Sequence, residues 1–230
     1  ELLIDHAWGW EPCTIADVKG YKPDKSSMGS GQVLQRPYDF EKARLIVREM
    51  TDLLVLDLVG KGLTTEQMVL TIGYDRENLE DPEIRKRYKG PVTTDHYGRR
   101  VPKHAHGTIN LEKQTSSTRL ILEAVTGLYE RIVDKNLLIR RVYVTANHVI
   151  DKSQDGEKET FEQMELFTDY EALERRRKEE EAEAEREKSL QKAMLDIKKK
   201  FGKNAVLKGM NLEEGAMTIE RNRQIGGHKA

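Results

Sequence analysis

Phe40-Glu-Lys-Ala-Arg-Leu-Ile-Val-Arg-Glu-Met-Thr-Asp-Leu-Leu-Val-Leu-Asp-Leu-Val-Gly60 is the stretch on which the fold turns. Ala43, Ile46, Val47, Met50, Leu53, Leu54 and Leu58 recur at spacings of three and four, the stripe of one face of an amphipathic helix. Gly60 and Gly62 end it. Ahead of it, Met28-Gly-Ser-Gly-Gln-Val-Leu34 reads as a strand with a flexible glycine start. Behind it, Gln67-Met-Val-Leu-Thr-Ile72 alternates, with Met68, Leu70 and Ile72 on one side. The polar segment Asp75 to Lys103 reads as a long hairpin connection, expected to be ordered by a ligand or to be mobile. Gly107-Thr-Ile-Asn-Leu111 suits a short strand with Ile109 and Leu111 inward. Ile121, Ala124, Val125, Leu128 and Ile132 then mark a second helix, with Ser116, Ser117 and Thr118 as candidate caps. Leu137 to Val149 reads as the last strand. The order β-α-β-β-α-β over residues 26–150 predicts an α+β two-layer sandwich, a four-stranded sheet backed by two helices on one face. The other sheet face is then open to a partner.

Outside that unit the composition changes. Glu1 to Lys25 holds an apolar start and a Gly/Pro-punctuated linker, Gly20-Tyr-Lys-Pro-Asp24. Asp151 to Lys188 is mostly Glu, Lys, Arg and Ala, with too few apolar residues for a core of its own. A solvated helix laced by i,i+4 ion pairs fits it. Leu190, Ala193, Met194, Ile197 and Phe201 restore a helical stripe, and Gly-rich polar sequence runs to the end. The absence of an initiating methionine at Glu1 and of a signal-peptide pattern makes the chain read as a piece of something longer.

Composition removes whole classes of function. With 39 Lys+Arg against 40 Asp+Glu, the chain of 230 residues is neither strongly basic nor an acidic tail. The single cysteine, Cys13, excludes an intramolecular disulfide and fits a reducing cytoplasm. The longest apolar run, Leu53 to Leu56, is far short of the roughly 20 residues of a membrane helix. No Gly-rich phosphate loop, GxSxG, HExxH or paired carboxylate motif is present. His104-Ala-His106 lacks a Cys or carboxylate partner at ligand spacing, and Cys13 lacks a neighbouring His and acid. No catalytic residue and no cofactor are expected in this chain.

The charge is unevenly placed. Between Arg85 and Arg119 lie nine Lys and Arg residues against only Asp95 and Glu112. With Arg140, Arg141, Lys22 and Lys25, they fall at strand starts and on the long connection. A basic, polar sheet face carrying Thr108, Asn110, Thr145 and Asn147 offers phosphate contacts without base specificity. Ordinary solvated surface is the competing reading. Neighbouring strand residues point to opposite faces, so Arg140 and Arg141 cannot both lie on it unless the strand bends.

Several ordered motifs resemble one family. Lys25-Ser-Ser-Met-Gly-Ser-Gly-Gln-Val-Leu34 resembles the linker and first strand of the little-finger domain of Y-family translesion DNA polymerases. His6-Ala-Trp-Gly-Trp10 is similar to the end of their thumb. Pro102-Lys-His-Ala-His-Gly107 is similar to the start of the third strand, and Leu138-Ile-Arg-Arg-Val-Tyr-Val144 to the Arg-Arg-bearing last strand. The nearest branch is the bacterial UmuC-like (ImpB/MucB/SamB) repair polymerases, involved in DNA repair and the SOS response to DNA damage. The resemblance implies a domain that grips template–primer duplex through phosphates, with Ser26, Ser27, Met28, Gly29, Lys103, Thr108, Arg140 and Arg141 as matching positions. The charge map adds Lys25, Arg99 and Arg100.

Gln163-Met-Glu-Leu-Phe167 resembles the Gln-Leu-(Ser/Asp)-Leu-Phe peptide by which bacterial polymerases dock on the sliding clamp. It departs in Met164 for the usual Leu and in lying well inside the chain; Gln163, Leu166 and Phe167 match, and Glu165 stands at the Ser/Asp position. The expected division is therefore the end of a thumb and linker over 1–25, a little finger over 26–150, a linker with the clamp peptide over 151–169, and a charged helical and polar tail over 170–230. The palm, with its magnesium-binding carboxylates, precedes the little finger in the family and lies outside this chain, so the chain is expected to bind but not to polymerise. Two rivals remain. An RNA-binding module needs stacking aromatics on the central strands, for which Tyr143 and Tyr74 are the candidates. A protein-docking adaptor would use the charged helix instead. The tail's ending, Ile219 to Ala230, is similar to those of Gram-positive relatives, and no role for Arg186 to Ala230 can be read from its residues.

Overall fold

The computed structural model describes residues 7–10, 13–20, 26–154, 170–225 and 228–229. A short helix α1 (Ile15–Gly20) precedes the main unit. That unit runs β1 (Ser27–Tyr38), α2 (Phe40–Gly60), β2 (Leu63–Tyr74), β5 (Ala105–Thr115), α5 (Thr118–Ile132) and β6 (Ile139–Asn147). Between β2 and β5 lie α3 (Glu77–Glu80), α4 (Pro82–Arg87) and the hairpin β3 (Val92–Thr94) and β4 (Arg100–Pro102). A two-residue β7 (Ile150–Asp151) pairs with the start of β2. The long α6 (Tyr170–Phe201) and the short α7 (Thr218–Asn222) follow.

The sheet order is β1-β6-β2-β5 with every neighbour antiparallel. β1 and β2 are thus parallel to each other with β6 between them, a split β-α-β arrangement. Alternation does the rest. Met68, Leu70 and Ile72 of β2 and Val142, Val144 and Ala146 of β6 all point one way and are fully buried under α2 and α5. The two helices meet through Phe40 and Tyr129, whose rings are 4.8 Å apart, and Tyr129 Oη donates to the Phe40 carbonyl at 2.7 Å. Gly107 lets α5 approach β5, since a β-carbon there would lie 2.9 Å from Leu128 Cδ1. The α+β sandwich predicted from the periodicities is the observed architecture.

Caps agree with the sequence as well. Asp39 accepts from Lys42 N at the start of α2, Ser117 accepts from Leu120 N at the start of α5, and Gly62 takes φ +69° beyond the end of α2.

Two expectations need revision. The segment from Asp75 to Lys103 carries elements and internal bonds of its own. Asn78, wholly buried, donates to the Asp75 and Leu138 carbonyls at 2.8 Å each and accepts from Leu138 N at 2.7 Å. Asp81 caps α4 through Glu83 N and Ile84 N. Asp95 closes the β3–β4 turn by accepting from Tyr97 N and Arg99 N, each at 2.9 Å.

The second revision concerns the tail. The apolar stripe of α6 faces outward at Leu190, Ile197 and Phe201, while Gln191 and Met194 are buried. Hydrogen bonding decides which side docks. The first turn of α5 presents unpaired N–H groups and a positive helix end. Glu187 meets it, accepting from Arg119 N at 3.0 Å and from Ser117 Oγ at 2.6 Å. Gln191 Nε2 donates to the Ser116 carbonyl and Thr118 Oγ1, both at 2.9 Å. The N-terminal half of α6 stays solvated and does carry i,i+4 pairs, Glu174–Lys178 and Arg177–Glu181.

Beyond α6 the chain turns back along α2. Glu49, 2% exposed, accepts from Asn211 Nδ2 and Met217 N at 2.8 Å each, and Asp52 pairs with Lys208. This explains why α2 buries Glu49 and Asp52 besides its apolar stripe, whereas the buried Thr51 Oγ1 donates within the helix to the Val47 carbonyl at 2.7 Å.

Asn78→Ala is expected to lower unfolding free energy by about 1–3 kcal/mol, because it strips three hydrogen bonds in a dry site and leaves the Leu138 N–H without its acceptor. Urea denaturation followed by circular dichroism measures it; a change below a few tenths would mean that the Asp75–Lys103 segment is not tied to β6 in this way.

Candidate nucleic-acid interface

The outward residues of the sheet fall into rows fixed by strand register. Ser27, Asn147, Gln67 and Asn110 form the first row, and Gly29, Thr145, Val69 and Thr108 the second. Gly31, Tyr143, Thr71 and His106 form the third, and Val33, Arg141 and Gly73 the fourth. From first row to fourth the face runs about 20 Å along the strands, and about 14 Å across the four of them.

Hydrogen bonds tie the rows laterally. Asn147 Nδ2 donates to Gln67 Oε1 at 3.1 Å, and Gln67 Nε2 donates to Asn110 Oδ1 at 2.8 Å. Thr71 Oγ1 and His106 Nδ1 share a hydrogen bond of 2.9 Å. Tyr143, 44% exposed, lies flat on Gly31: a β-carbon there would come within 2.5 Å of Tyr143 Cδ1. Gly73 similarly beds Arg141, whose Cβ is 3.1 Å from where a side chain on that glycine would begin. The glycines of this face are thus seats for the side chains of the neighbouring strand.

Charge gathers at the fourth-row end. Arg141 lies on the open face there and makes no ion pair among the described residues. Arg140, one residue earlier, turns away, with Nε 3.6 Å from Asp75 Oδ2. The β3–β4 hairpin flanks this end, with β4 beside β2. Arg99 is held by Asp95 at 2.7 Å and stacks on the Tyr97 ring at 4.8 Å. The Arg99 hydrogen bond holds the Asp95 carboxyl down to about 2. Arg100 and Lys103 are exposed at the ends of β4 and before β5.

Among the described residues no three His, Cys, Asp or Glu side chains converge in a group that could hold a metal ion. No described helix is long and apolar enough to cross a membrane.

Residues 25–166 match the model of the impB/mucB/samB family C-terminal domain. The chain belongs to the impB/mucB/samB family. The resemblance to the C-terminal region of UmuC-like Y-family polymerases therefore stands. A search of curated proteins gave no match. Two solved structures are similar in part. The insertion ternary complex of Dbh DNA polymerase has a TM-score of 0.34 at 10% identity, over 58% of this chain and 33% of that one. The post-insertion binary complex of the same polymerase has a TM-score of 0.33 at 10% identity, over 59% and 33%. The chain covers about a third of the length of these polymerases.

Within the impB/mucB/samB domain, the predicted positions divide into three sets. Ser27, Gly29 and Thr108 lie on the open face in its first two rows, with Ser26 at their edge. Arg141 lies on the face at the far end, with Arg99, Arg100 and Lys103 close by on the hairpin. Met28 and Arg140 do not bring their side chains to this face: Met28 turns toward the helices, where its Sδ is 3.4 Å from Lys61 Nζ. Lys25 and the clamp-like peptide Gln163 to Phe167 lie outside the described residues. Gln67 and Val69 were missed as face residues, although the alternation that buries Met68 and Leu70 turns both outward. Of the two aromatics an RNA module would need, Tyr143 is on the face and Tyr74 is buried, its Oη accepting from Asp134 N.

Carbon-detected NMR titration should place the Asp95 midpoint near 2 and return it toward 3.8 in Arg99→Ala. Since the folded value is depressed, the pairing is complete above about pH 4 and is lost as pH falls through 2. A wild-type midpoint at 3.8 would show that Arg99 is free.

Proposed function

We propose that residues 26–150 form a little-finger domain that grips template–primer duplex through its phosphates, as the C-terminal part of a lesion-bypass DNA polymerase acting in cytoplasmic DNA repair and the SOS response. The observation that carries this is the open sheet face: neutral, hydrogen-bonding rows that together span about 20 Å along the strands, with Arg141, Arg100 and Lys103 at one end and the small residues Ser27 and Gly29 at the other. A B-DNA major groove is about 12 Å wide between its flanking backbones. A face of this length can therefore lie against one groove and reach phosphates on both sides. Family membership supports the same reading.

The contacts on offer are positional and not base-reading. Among the described residues Arg141 makes no ion pair, while Arg99 and Arg140 are already paired with Asp95 and Asp75. Polymerisation itself would belong to a palm with its own carboxylates. Gln163 to Phe167 would dock on the sliding clamp, Leu166 and Phe167 filling an apolar pocket and Gln163 hydrogen-bonding at its rim. Clamp docking raises the local concentration of a weak DNA grip.

A truncation after Ile150 is a poor test between duplex grip and adaptor, since it strips the partners of Glu49 and Asp52. Point variants are cleaner. Fluorescence anisotropy of a labelled primer–template duplex should show micromolar or weaker binding that falls with salt and ignores sequence. Arg141→Ala should weaken it and lower the salt slope by about 0.9, the share of one phosphate. Arg99→Ala and Arg140→Ala should matter less. Binding that is absent at low salt would overturn the duplex grip and favour the adaptor.

For the clamp, Leu166→Ala/Phe167→Ala should abolish capture of the full chain by an immobilised bacterial sliding clamp while leaving duplex affinity unchanged. Undiminished capture would remove the clamp peptide from the proposal.

A further inference from the structure

We infer that residues 202–225, which lie beyond the matched family domain, brace the edge strand β1, and that Arg221 is a positioning residue for its duplex-contacting end. The inference rests on the duplex reading for its functional half and on geometry for the rest.

β1 needs support. Among the described residues it is an edge strand, paired only with β6, and it carries Gly29 and Gly31 near its start. Glycine in a strand adds backbone freedom and no side-chain packing. The pairing with β6 also shifts register between Val33 and Tyr38. On the side facing the helical layer, where a strand ordinarily carries apolar residues, β1 has Ser30 and Gln32.

The C-terminal segment supplies what those two polar side chains lack. Arg221 Nη2 donates to Ser30 Oγ, and Nη1 donates to Gln32 Oε1 at 3.1 Å. Gln32 Nε2 reaches Met217 Sδ at 3.2 Å, and Tyr38 Oη donates to the Gly215 carbonyl at 3.2 Å near the other end of the strand. The brace is itself anchored on α2. Glu49 receives Met217 N, Thr218 N and Asn211 Nδ2, and Lys42 pairs with Glu214 at 2.7 Å. Burial pushes the pKa of Arg221 below its ordinary value, as expected for a cation directed into the protein and away from solvent phosphates.

Ser27 and Gly29, the outward residues of the proposed grip, alternate with Met28 and Ser30 on the same four-residue run. Fixing Ser30 and Gln32 from the helical side therefore fixes the backbone that presents Ser27 and Gly29 on the other. The split guanidinium geometry matters, because one donor group bridges two strand positions.

The test compares the full chain with Arg221→Ala and Arg221→Lys by hydrogen exchange and by duplex anisotropy. In Arg221→Ala, amides of Ser27 to Gln32 should exchange at least about tenfold faster while α5 is unchanged. Duplex Kd should rise about three- to tenfold with the salt slope intact, and Arg221→Lys should recover part of both. Unchanged β1 exchange would overturn the brace. Faster exchange with unchanged Kd would overturn the positioning role, and so would a salt slope lowered as in Arg141→Ala, which would make Arg221 a phosphate contact. A wild-type chain that bound no duplex would overturn the proposed function, and with it the role of Arg221 in binding; the brace would then stand or fall on exchange alone.

Discussion

A strand has two faces, and β6 uses them for opposite purposes at every step from Arg141 to Asn147. Val142, Val144 and Ala146 close the core, while Arg141, Tyr143, Thr145 and Asn147 face outward. Because β6 is bonded on both sides, its alternation is imposed on β1 and β2 through register, and β2 passes it to β5. A slip by one residue would bury Arg141 and expose Val142. The buried apolar set therefore holds the outer rows in place, and the polar face exists because the core does.

That logic also separates what was legible in the sequence from what was not. The β-α-β-β-α-β order, the stripe of α2 and the serine cap of α5 all rest on local periodicity or on one residue type at a boundary. The direction of Arg140 and Arg141 followed from alternation too, since only one of them could lie on the face. The docked side of α6 was only partly legible: apolar spacing named Leu190, Ala193, Met194, Ile197 and Phe201, of which Met194 is buried while Leu190, Ile197 and Phe201 face outward. The side that docks was chosen by polar groups at the N-terminus of α5, a partner more than sixty residues away in sequence. Glu49 and Asp52 lie off the apolar stripe that the spacing of α2 picks out. Their burial depends on residues 208–218, and nothing local to α2 announces it.

The charge map shows the same limit. Nine cations between Arg85 and Arg119 suggested a basic patch, yet a count of cations says nothing about how many are already paired. Asp95 holds Arg99, Asp75 holds Arg140, and Glu183 lies 3.7 Å from Arg119. Among the described residues, Arg141, Arg100 and Lys103 make no ion pair and stand at one end of the face, not at its centre.

The partnership of Glu49 with Met217 spans 168 residues of chain. On a ribosome adding roughly 5–20 residues per second, Glu49 emerges roughly 10–30 s before the residues that will cover it. During that interval the sheet and its two helices can form, since their own elements are all upstream of Val149. The outer side of α2 meanwhile stays wet, and its carboxylates keep the nascent intermediate hydrated where a greasy surface would invite association. The polar choice at Glu49 and Asp52 is thus as well suited to the half-made molecule as to the finished one.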